Sequence, residues 1–260
     1  MDAPKVSIGM PIRNEEQRIR AALDSLLAQT FRDFELIISD NASTDRSREI
    51  CAEYAERDAR IRYSRNDTNL GMTRNQNRVF ELARGEFFMW ASGNDGWYPD
   101  FIQKCLNVME QDANIALCYP MDTRGLNVSS RVSLVIWGMN SCEAMYGLYR
   151  TSALKRSKLF RNVICPDNLV VFEVSLAGSM AHIPEPLLFM SGRPDDRWPL
   201  GRIIEIYQKK FYPDDKKYFR LWLTNWRLLY EHLAAVMRAP VRLNRKPVLL
   251  FVTLFGLLAK

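Results

Sequence analysis

Short apolar runs alternate with amphipathic stretches over the first 120 residues. Val6–Met10 reads as an apolar strand. From Glu15, the residues Ile19, Ala22, Leu23, Leu26 and Leu27 recur at i, i+3, i+4, i+7 and i+8, so they share one face of a helix. Phe34–Ser39 is a second strand. Ser43 and Thr44 are favourable N-caps for a helix that would bury Ile50, Cys51, Tyr54 and Ala55. A short strand follows at Ile61–Tyr63, then a helix over Met72–Ala83 and a strand over Glu86–Ala91. Pro99 suits the first turn of another helix, and Ile115–Tyr119 is a fifth strand. Strand and helix alternating through short connections predict an α/β domain, a mostly parallel sheet covered by helices.

From Met121 to about Met190 the pattern is less regular. Leu134–Trp137 reads as a strand, Thr151–Leu159 as a short helix, and Leu169–Ala177 as a helix ended by Gly178. His182–Met190 is extended and broken by prolines, and His182 within it reads as a core histidine. After Arg202 the pattern is helical throughout. Ile203, Ile204, Tyr207 and Phe211 share one face, and Phe219, Trp222, Trp226, Leu229, Leu233 and Val236 share the next. His232, beside Glu231 in that stretch, reads as structural or interfacial.

Charge changes the picture mainly at the C-terminal end. The chain carries +6 overall, but residues 201–260 hold twelve Lys/Arg against four Asp/Glu. The rest is close to neutral, which argues against nucleic acid as the partner. A basic amphipathic tail points instead to an anionic membrane surface, with packing against the main domain as the other reading. The longest apolar run, Val248–Ala259, is far short of the ~20 residues a spanning helix needs. Five cysteines, an odd number without a CxxC pair, read as buried reduced thiols. With no signal-like N-terminal segment, the expectation is a cytoplasmic protein, with a peripheral place on the inner face of the membrane as the reading that the basic tail adds.

In open α/β sheets ligands bind beyond the carboxyl ends of the strands. Three polar clusters fall there: Pro11–Glu15, Asp40–Asp45 and Ser92–Asp95. Together they predict one crevice. A GxGxxG motif is absent, so a dinucleotide is not expected.

The run Val6–Glu15, with its Pro-Ile-Arg-Asn-Glu, resembles the opening of family 2 glycosyltransferases, where a strand leads into Pro-x-Tyr-Asn-Glu. Ser25–Phe31 with Phe34–Ile38, Asp40-Asn41-Ala42-Ser43-Thr44-Asp45, Asn69-Leu70-Gly71, Asn77 and Ala83–Glu86 follow in the order of that family's later signatures. The resemblance implies a GT-A fold, the Rossmann-like nucleotide-diphospho-sugar transferase fold, here with a C-terminal helical extension. Residues 1–120 would be the nucleotide-sugar-binding half, 121–200 the acceptor and catalytic half of the same domain, and 201–260 the basic helical extension.

It also implies roles. Pro11, Arg13 and Glu15 would line the nucleoside pocket, with Arg13 standing where the family has Tyr. Asp40 would accept a hydrogen bond from the base, although an Asp there also suits a turn that caps the next helix. Arg74 would reach the diphosphate or remain a solvated helix charge, and Asn77 and Asn94 would lie along the donor. The family's metal-binding Asp-x-Asp is reduced to Ser92-Gly93-Asn94, followed by Asp95. Asp95 would hold Mg²⁺ or Mn²⁺ together with the diphosphate, or else would only begin a turn. The family's base opens a helix that a Gly ends some three turns later. Asp167 takes that place, where it would also serve as an N-cap, and Glu173 is the reserve.

The function so implied is transfer of a sugar from a nucleotide-diphosphate donor, a UDP-sugar being favoured. The acceptor would be a hydroxyl of a glycan or lipid-linked acceptor, and the transfer would invert the anomeric centre. The alternative is a degenerate domain that binds a nucleotide sugar or scaffolds an assembly without turnover, and Ser92 and Asn94 motivate it. A sugar-1-phosphate nucleotidyltransferase is disfavoured, because Pro11–Glu15 is not a basic Gly-rich loop.

Overall fold

Val6–Ile12 forms β1, and six of its seven residues are buried. It pairs in parallel with β2 (Phe34–Asp40) on one side and β4 (Phe87–Trp90) on the other. This is a computed structural model, and it describes residues 3–120, 144–163, 166–189, 221–247, 249–250 and 253, with only the backbone at 221–226. Among these residues β3 (Ile61–Arg65), β6 (Ile115–Pro120), β7 (Leu148–Arg150) and β8 (Ser179–Ile183) complete a seven-stranded sheet. Its order is β3-β2-β1-β4-β7-β6-β8. β7 alone runs against its neighbours β4 and β6, while β6 and β8 are parallel to each other. Two short strands, β5 (Gly96–Trp97) and β9 (Leu188–Phe189), pair separately.

The two-residue period of the strands divides the core between the sheet's faces. Phe87 and Met89 of β4 face one cluster, with α1 (Ile19–Leu27), α2 (Ser47–Arg57) and α4 (Phe101–Gln111). Phe88 and Trp90 face the other, with α3 (Met72–Glu81), α5 (Thr151–Leu154) and α6 (Pro166–Ala177). Strands from both sides of residue 120 therefore belong to one sheet. A last helix, α7 (Leu221–Arg238), packs against α6.

Several boundaries differ from the pattern-based expectation. The second helix begins at Ser47, without a side-chain cap, because Ser43 and Thr44 are engaged in bonds to the loop after β1. Pro99 lies two residues before α4, where its carbonyl accepts the Thr30 N–H at 2.7 Å. The helix expected over Thr151–Leu159 ends at Leu154. His182 is exposed rather than in the core, because β8 is the edge strand of the sheet, where the ring stands beside Tyr119 with no further strand to cover it among the described residues. The expected strand at Leu134–Trp137 and the helical faces from Ile203 to Phe219 lie outside the described residues.

Two close fits hold the middle of the sheet. A Cβ at Gly9 would meet Phe88 Cζ at 2.6 Å and Val79 Cγ2 at 2.7 Å, so only glycine lets α3 approach β1 this closely. At the amino edge, the buried Glu35 accepts bonds from Ser7 Oγ (2.7 Å), the Arg84 N–H (3.0 Å), Arg84 Nη2 (2.8 Å) and Arg62 Nη1 (2.7 Å). Burial alone would raise this carboxyl, but the bonds from Arg84, Ser7 and Arg62 outweigh it and hold Glu35 below its ordinary value. Its stabilisation is therefore full above the unfolded value near ~4.3 and is lost as pH falls through the lower folded value. We expect Glu35→Gln to cost about 2 kcal/mol at pH 7 by urea unfolding. The gap to the parent should narrow below about pH 4, and a gap that stays constant with pH would contradict this account.

Candidate functional site

The strands β1 and β2 end in register, Ile12 opposite Asp40, and their following loops are stitched together. The Asn14 N–H donates to Ser43 Oγ (3.0 Å), and Asn14 Oδ1 accepts the Thr44 N–H (2.8 Å). The Glu15 N–H donates to Ser47 Oγ (2.8 Å), and the Glu16 N–H donates to Asp45 Oδ2 (3.1 Å). Glu16 in turn accepts the Arg46 N–H (3.0 Å). Asn14 and Ala42 both sit at φ 57°, in the left-handed region. An Asn tolerates that conformation, whereas a Cβ-bearing residue without a local hydrogen bond costs about 1–2 kcal/mol there.

The third loop, after β4, closes on the first. The Ala91 N–H donates to the Gly9 carbonyl (2.8 Å). A Cβ at Gly93 would lie 3.1 Å from both Glu15 Cγ and Ile12 Cγ2, so the bare backbone of this loop lies against the end of β1. The three polar clusters lie together at the carboxyl edge of the sheet. Pro11 and Glu15 are half-buried there, Arg13 is exposed, and Arg74 is exposed in the first turn of α3.

Asp40 is fully buried; Oδ1 accepts the Ser43 N–H (2.8 Å) and Oδ2 accepts the Tyr63 hydroxyl (2.9 Å). This is the turn geometry. A carboxylate oxygen retains a further lone pair for a base N–H. Behind it lies an amide network that sequence reasoning missed. Asn41 donates to Asn69 Oδ1 (2.8 Å), and its own Oδ1 accepts the Leu70 N–H (2.8 Å). Asn75 Oδ1 accepts from Ser39 Oγ (2.7 Å) and Asn66 Nδ2 (3.0 Å). These bonds fix residues 66–71 and so aim the start of α3. The sequence signal was four asparagines in a segment otherwise patterned as strand and helix. Asn77 is placed differently from its expected role. It exchanges bonds with the Phe160 backbone in both directions at 3.0 Å, beside Leu159 at φ 54°.

In the β4 loop, Ser92 Oγ donates to Asn94 Oδ1 in a short contact, and Asp95 is buried. Across the sheet, α6 ends at Ala177 and β8 begins at Ser179, level with the start of β6. α6 therefore runs back along the sheet, and its first turn, with Asp167, lies toward the carboxyl edge. Asp167 Oδ1 is buried with no hydrogen-bond partner among the described residues. Burial pushes its carboxyl above the ordinary value, against a lowering from the Asn168 and Asp167 backbone N–H groups. Glu173 differs: Oε1 meets Arg161 Nη2 (2.9 Å) and Arg238 Nη2 (2.8 Å), and Oε2 accepts the Lys158 N–H (2.8 Å). That carboxylate joins helices and is shielded from any substrate proton. The described cysteines Cys51, Cys105 and Cys118 are buried and free, and burial pushes the Cys51 thiol up to about 12, which leaves it inert.

The family model for glycosyl transferase family 2 matches residues 7–166, more than half of the chain. The chain is a family 2 glycosyltransferase. It is 33% identical over 252 residues to the putative glycosyltransferase EpsH of Bacillus subtilis, covering 89% of this chain and 71% of that protein. It is 32% identical over 121 residues to the uncharacterized glycosyltransferase MJ1057 of Methanocaldococcus jannaschii, covering 46% and 42% of the two. Among solved structures, S. aureus TarS 1–349 in complex with UDP-GlcNAc superposes with a TM-score of 0.72 at 18% identity, covering 98% of this chain and 73% of that one. The mannosyltransferase PcManGT of Pyrobaculum calidifontis, in complex with GDP-Man and Mn²⁺, gives 0.66 at 15%, covering 100% and 74%. The fold is GT-A-like, as in those two proteins.

For this family 2 glycosyltransferase a divalent cation is the implied partner of the β4 loop. Among the described residues no group of three or more His, Cys, Asp or Glu surrounds a common point. The donors present are the Asp95 carboxylate and the Asn94 and Ser92 side-chain oxygens. An all-oxygen set with one carboxylate fits Mg²⁺ or Mn²⁺ when diphosphate and water supply the remaining ligands. The stitched loops are open to a direct test. We expect Asn14→Gly to lose about 1 kcal/mol, from the bond to Thr44 alone. Asn14→Ala should lose roughly 1–2 kcal/mol more through left-handed strain. Equal losses on thermal unfolding would show that the φ of Asn14 carries no constraint.

Proposed function

We propose that the protein transfers a sugar from a nucleotide-diphosphate donor, a UDP-sugar being favoured, to a hydroxyl of a glycan or lipid-linked acceptor with inversion. The acceptor would be met at a membrane surface, and surface polysaccharide or glycoconjugate assembly is the setting. The observation that carries this reading is the position of Asp167. Asp167, half-buried and with Oδ1 unpartnered among the described residues, stands at the same edge of the sheet as the polar clusters Pro11–Glu15, Asp40–Asp45 and Ser92–Asp95.

The nucleoside lies along Pro11, Arg13 and Glu15 with Asp40 at the base, and Arg74 faces the diphosphate. Asp95, with Asn94, holds the divalent cation, which supplies neutralisation of charge on the leaving diphosphate. Asp167 accepts the proton of the acceptor hydroxyl as that oxygen bonds to the anomeric carbon from the face opposite the nucleotide. The bond from that carbon to the diphosphate oxygen breaks, and its electron pair leaves with the nucleotide. Asp167 must be ionised to do this. Because burial raises it, activity falls with acidity at a higher pH than an ordinary Asp near ~3.9 would give.

The test is nucleotide release from UDP-, GDP- and dTDP-sugars with membrane extract as acceptor source, in Mn²⁺ or EDTA. Asp167→Asn should lower turnover about 10²–10⁴-fold with little change in donor affinity, and Asp95→Asn should abolish the Mn²⁺ dependence. Full activity in Asp167→Asn would remove the base assignment. Ser92-Gly93-Asn94, where the family carries carboxylates, favours one other reading: a domain that binds the nucleotide sugar without turnover. Tight nucleotide binding with no release from any donor would establish that reading instead.

A further inference from the structure

The helix α7 has two faces of different character. Leu229, His232, Val236 and Ala239 are buried, with His232 against Phe172 of α6 at 4.9 Å between ring centroids. Arg238 to Glu173 (2.8 Å) and Arg161 to Glu231 (2.7 Å) fasten this face to α6 and the segment before it. At ~100° per residue, Arg227, Tyr230 and Met237 fall on the other side. Tyr230 is 67% exposed, Met237 56%, and Leu243 in the following turn 82%. Half of the six large apolar side chains exposed among the described residues thus lie within Tyr230–Leu243. Their surroundings are cationic. Residues 227–246 hold five Lys/Arg and one carboxylate, Glu231, which turns inward to Arg161; Arg238 is drawn to Glu173, while Arg242 and Arg245 stand exposed on either side of Asn244 and Leu243.

We propose that this outward face docks the protein onto an anionic phospholipid surface, with Tyr230, Met237 and Leu243 entering the headgroup boundary and Arg242 and Arg245 meeting phosphates. Charge complementarity selects that occupant. A second copy of the chain would bring the same cations to the contact, whereas an anionic bilayer supplies the missing negative charge. No described helix is long and apolar enough to cross a membrane. The inward face of the same helix is fixed to α6, so docking holds the helix that carries Asp167 one helix width from the bilayer, within reach of a lipid-linked acceptor. In that last respect it rests on the glycosyl-transfer reading.

The test is cosedimentation of the 260-residue chain with vesicles of phosphatidylcholine containing about one-third phosphatidylglycerol, beside vesicles of phosphatidylcholine alone, at low and high salt. The chain should partition onto the anionic vesicles only, and less at high salt. Arg242→Gln/Arg245→Gln should lower the partition about 20- to 30-fold, from the usual attraction per cation. Tyr230→Ser/Met237→Ser/Leu243→Ser should lower it at least about tenfold through lost apolar burial. Release of nucleotide from UDP-sugars in vesicle-free buffer should match the parent in both variants, which shows that they are folded. Equal partition onto both vesicle types, or full partition in both variants, would overturn the proposal. So would a parent dimer in sedimentation velocity that the triple substitution converts to monomer, since the face would then be a contact between copies. Vesicle binding as described with no nucleotide release from any protein would uphold docking and remove the glycosyl-transfer reading.

Discussion

The site depends on the pairing of two loops that hold each other. The loops after β1 and β2 have few residues in regular structure, and each satisfies its backbone N–H groups with the other's side chains. Asn14 reaches Ser43 and Thr44, Glu15 reaches Ser47, and Glu16 reaches Asp45. This works only because Asn14 and Ala42 adopt left-handed backbone at φ 57°. Local strain is held in place where the surrounding bonds over-determine it, which is typical of binding loops on a rigid sheet. Asn14 tolerates the conformation by its side chain. Ala42 has no such means, so its strain is carried by the bonds on either side of it, from Asp40 to Ser43 and from Asn14 to Thr44.

The sheet then carries that local arrangement across the molecule. β7 runs antiparallel between β4 and β6, so β6 and β8 regain the direction of β1 and β4. The helix between them, α6, must return along the sheet and so starts at the carboxyl edge. A purely parallel sheet would place a crossover helix there too, but without the reversal that brings Leu148–Arg150 and the Trp90–Tyr149 contact beneath α6. The loops at the strand ends and the first turn of α6 are therefore set by one piece of sheet topology.

The first half was legible because its elements are local. Strand runs of two-residue period and helices with one apolar face need no partner to be recognised, and the polar residues at strand ends follow from the topology. What failed was governed by distant bonds. Ser43 and Thr44 have the chemistry of N-caps, but both are drawn to Asn14, and the helix starts later. Asn77 fits a donor-side position in a motif, yet Phe160, 83 residues away, takes both ends of its amide. The Asn41, Asn66, Asn69 and Asn75 network left only a run of asparagines as its signature, because an asparagine's partners are set by the fold. β7 is three residues long and follows an irregular stretch, so no periodicity could mark it.

The two carboxylates of α6 show how one helix divides structure from chemistry. Asp167 and Glu173 are of similar acidity in water and lie less than two turns apart. Glu173 is surrounded by two guanidiniums and a backbone N–H, so its charge is balanced in place and its oxygens are taken up by partners within the protein. Asp167 sits in the first turn, where the helix's own N–H groups favour its anion, yet its Oδ1 is withdrawn from water without a partner among the described residues. An anion that is buried and incompletely satisfied is held ready to accept a proton, and that is the property a base needs. The bonds that neutralise Glu173 are also the ones that fasten α7 to α6. The carboxylate that joins the two helices is thus part of what holds α6, and with it Asp167, in position.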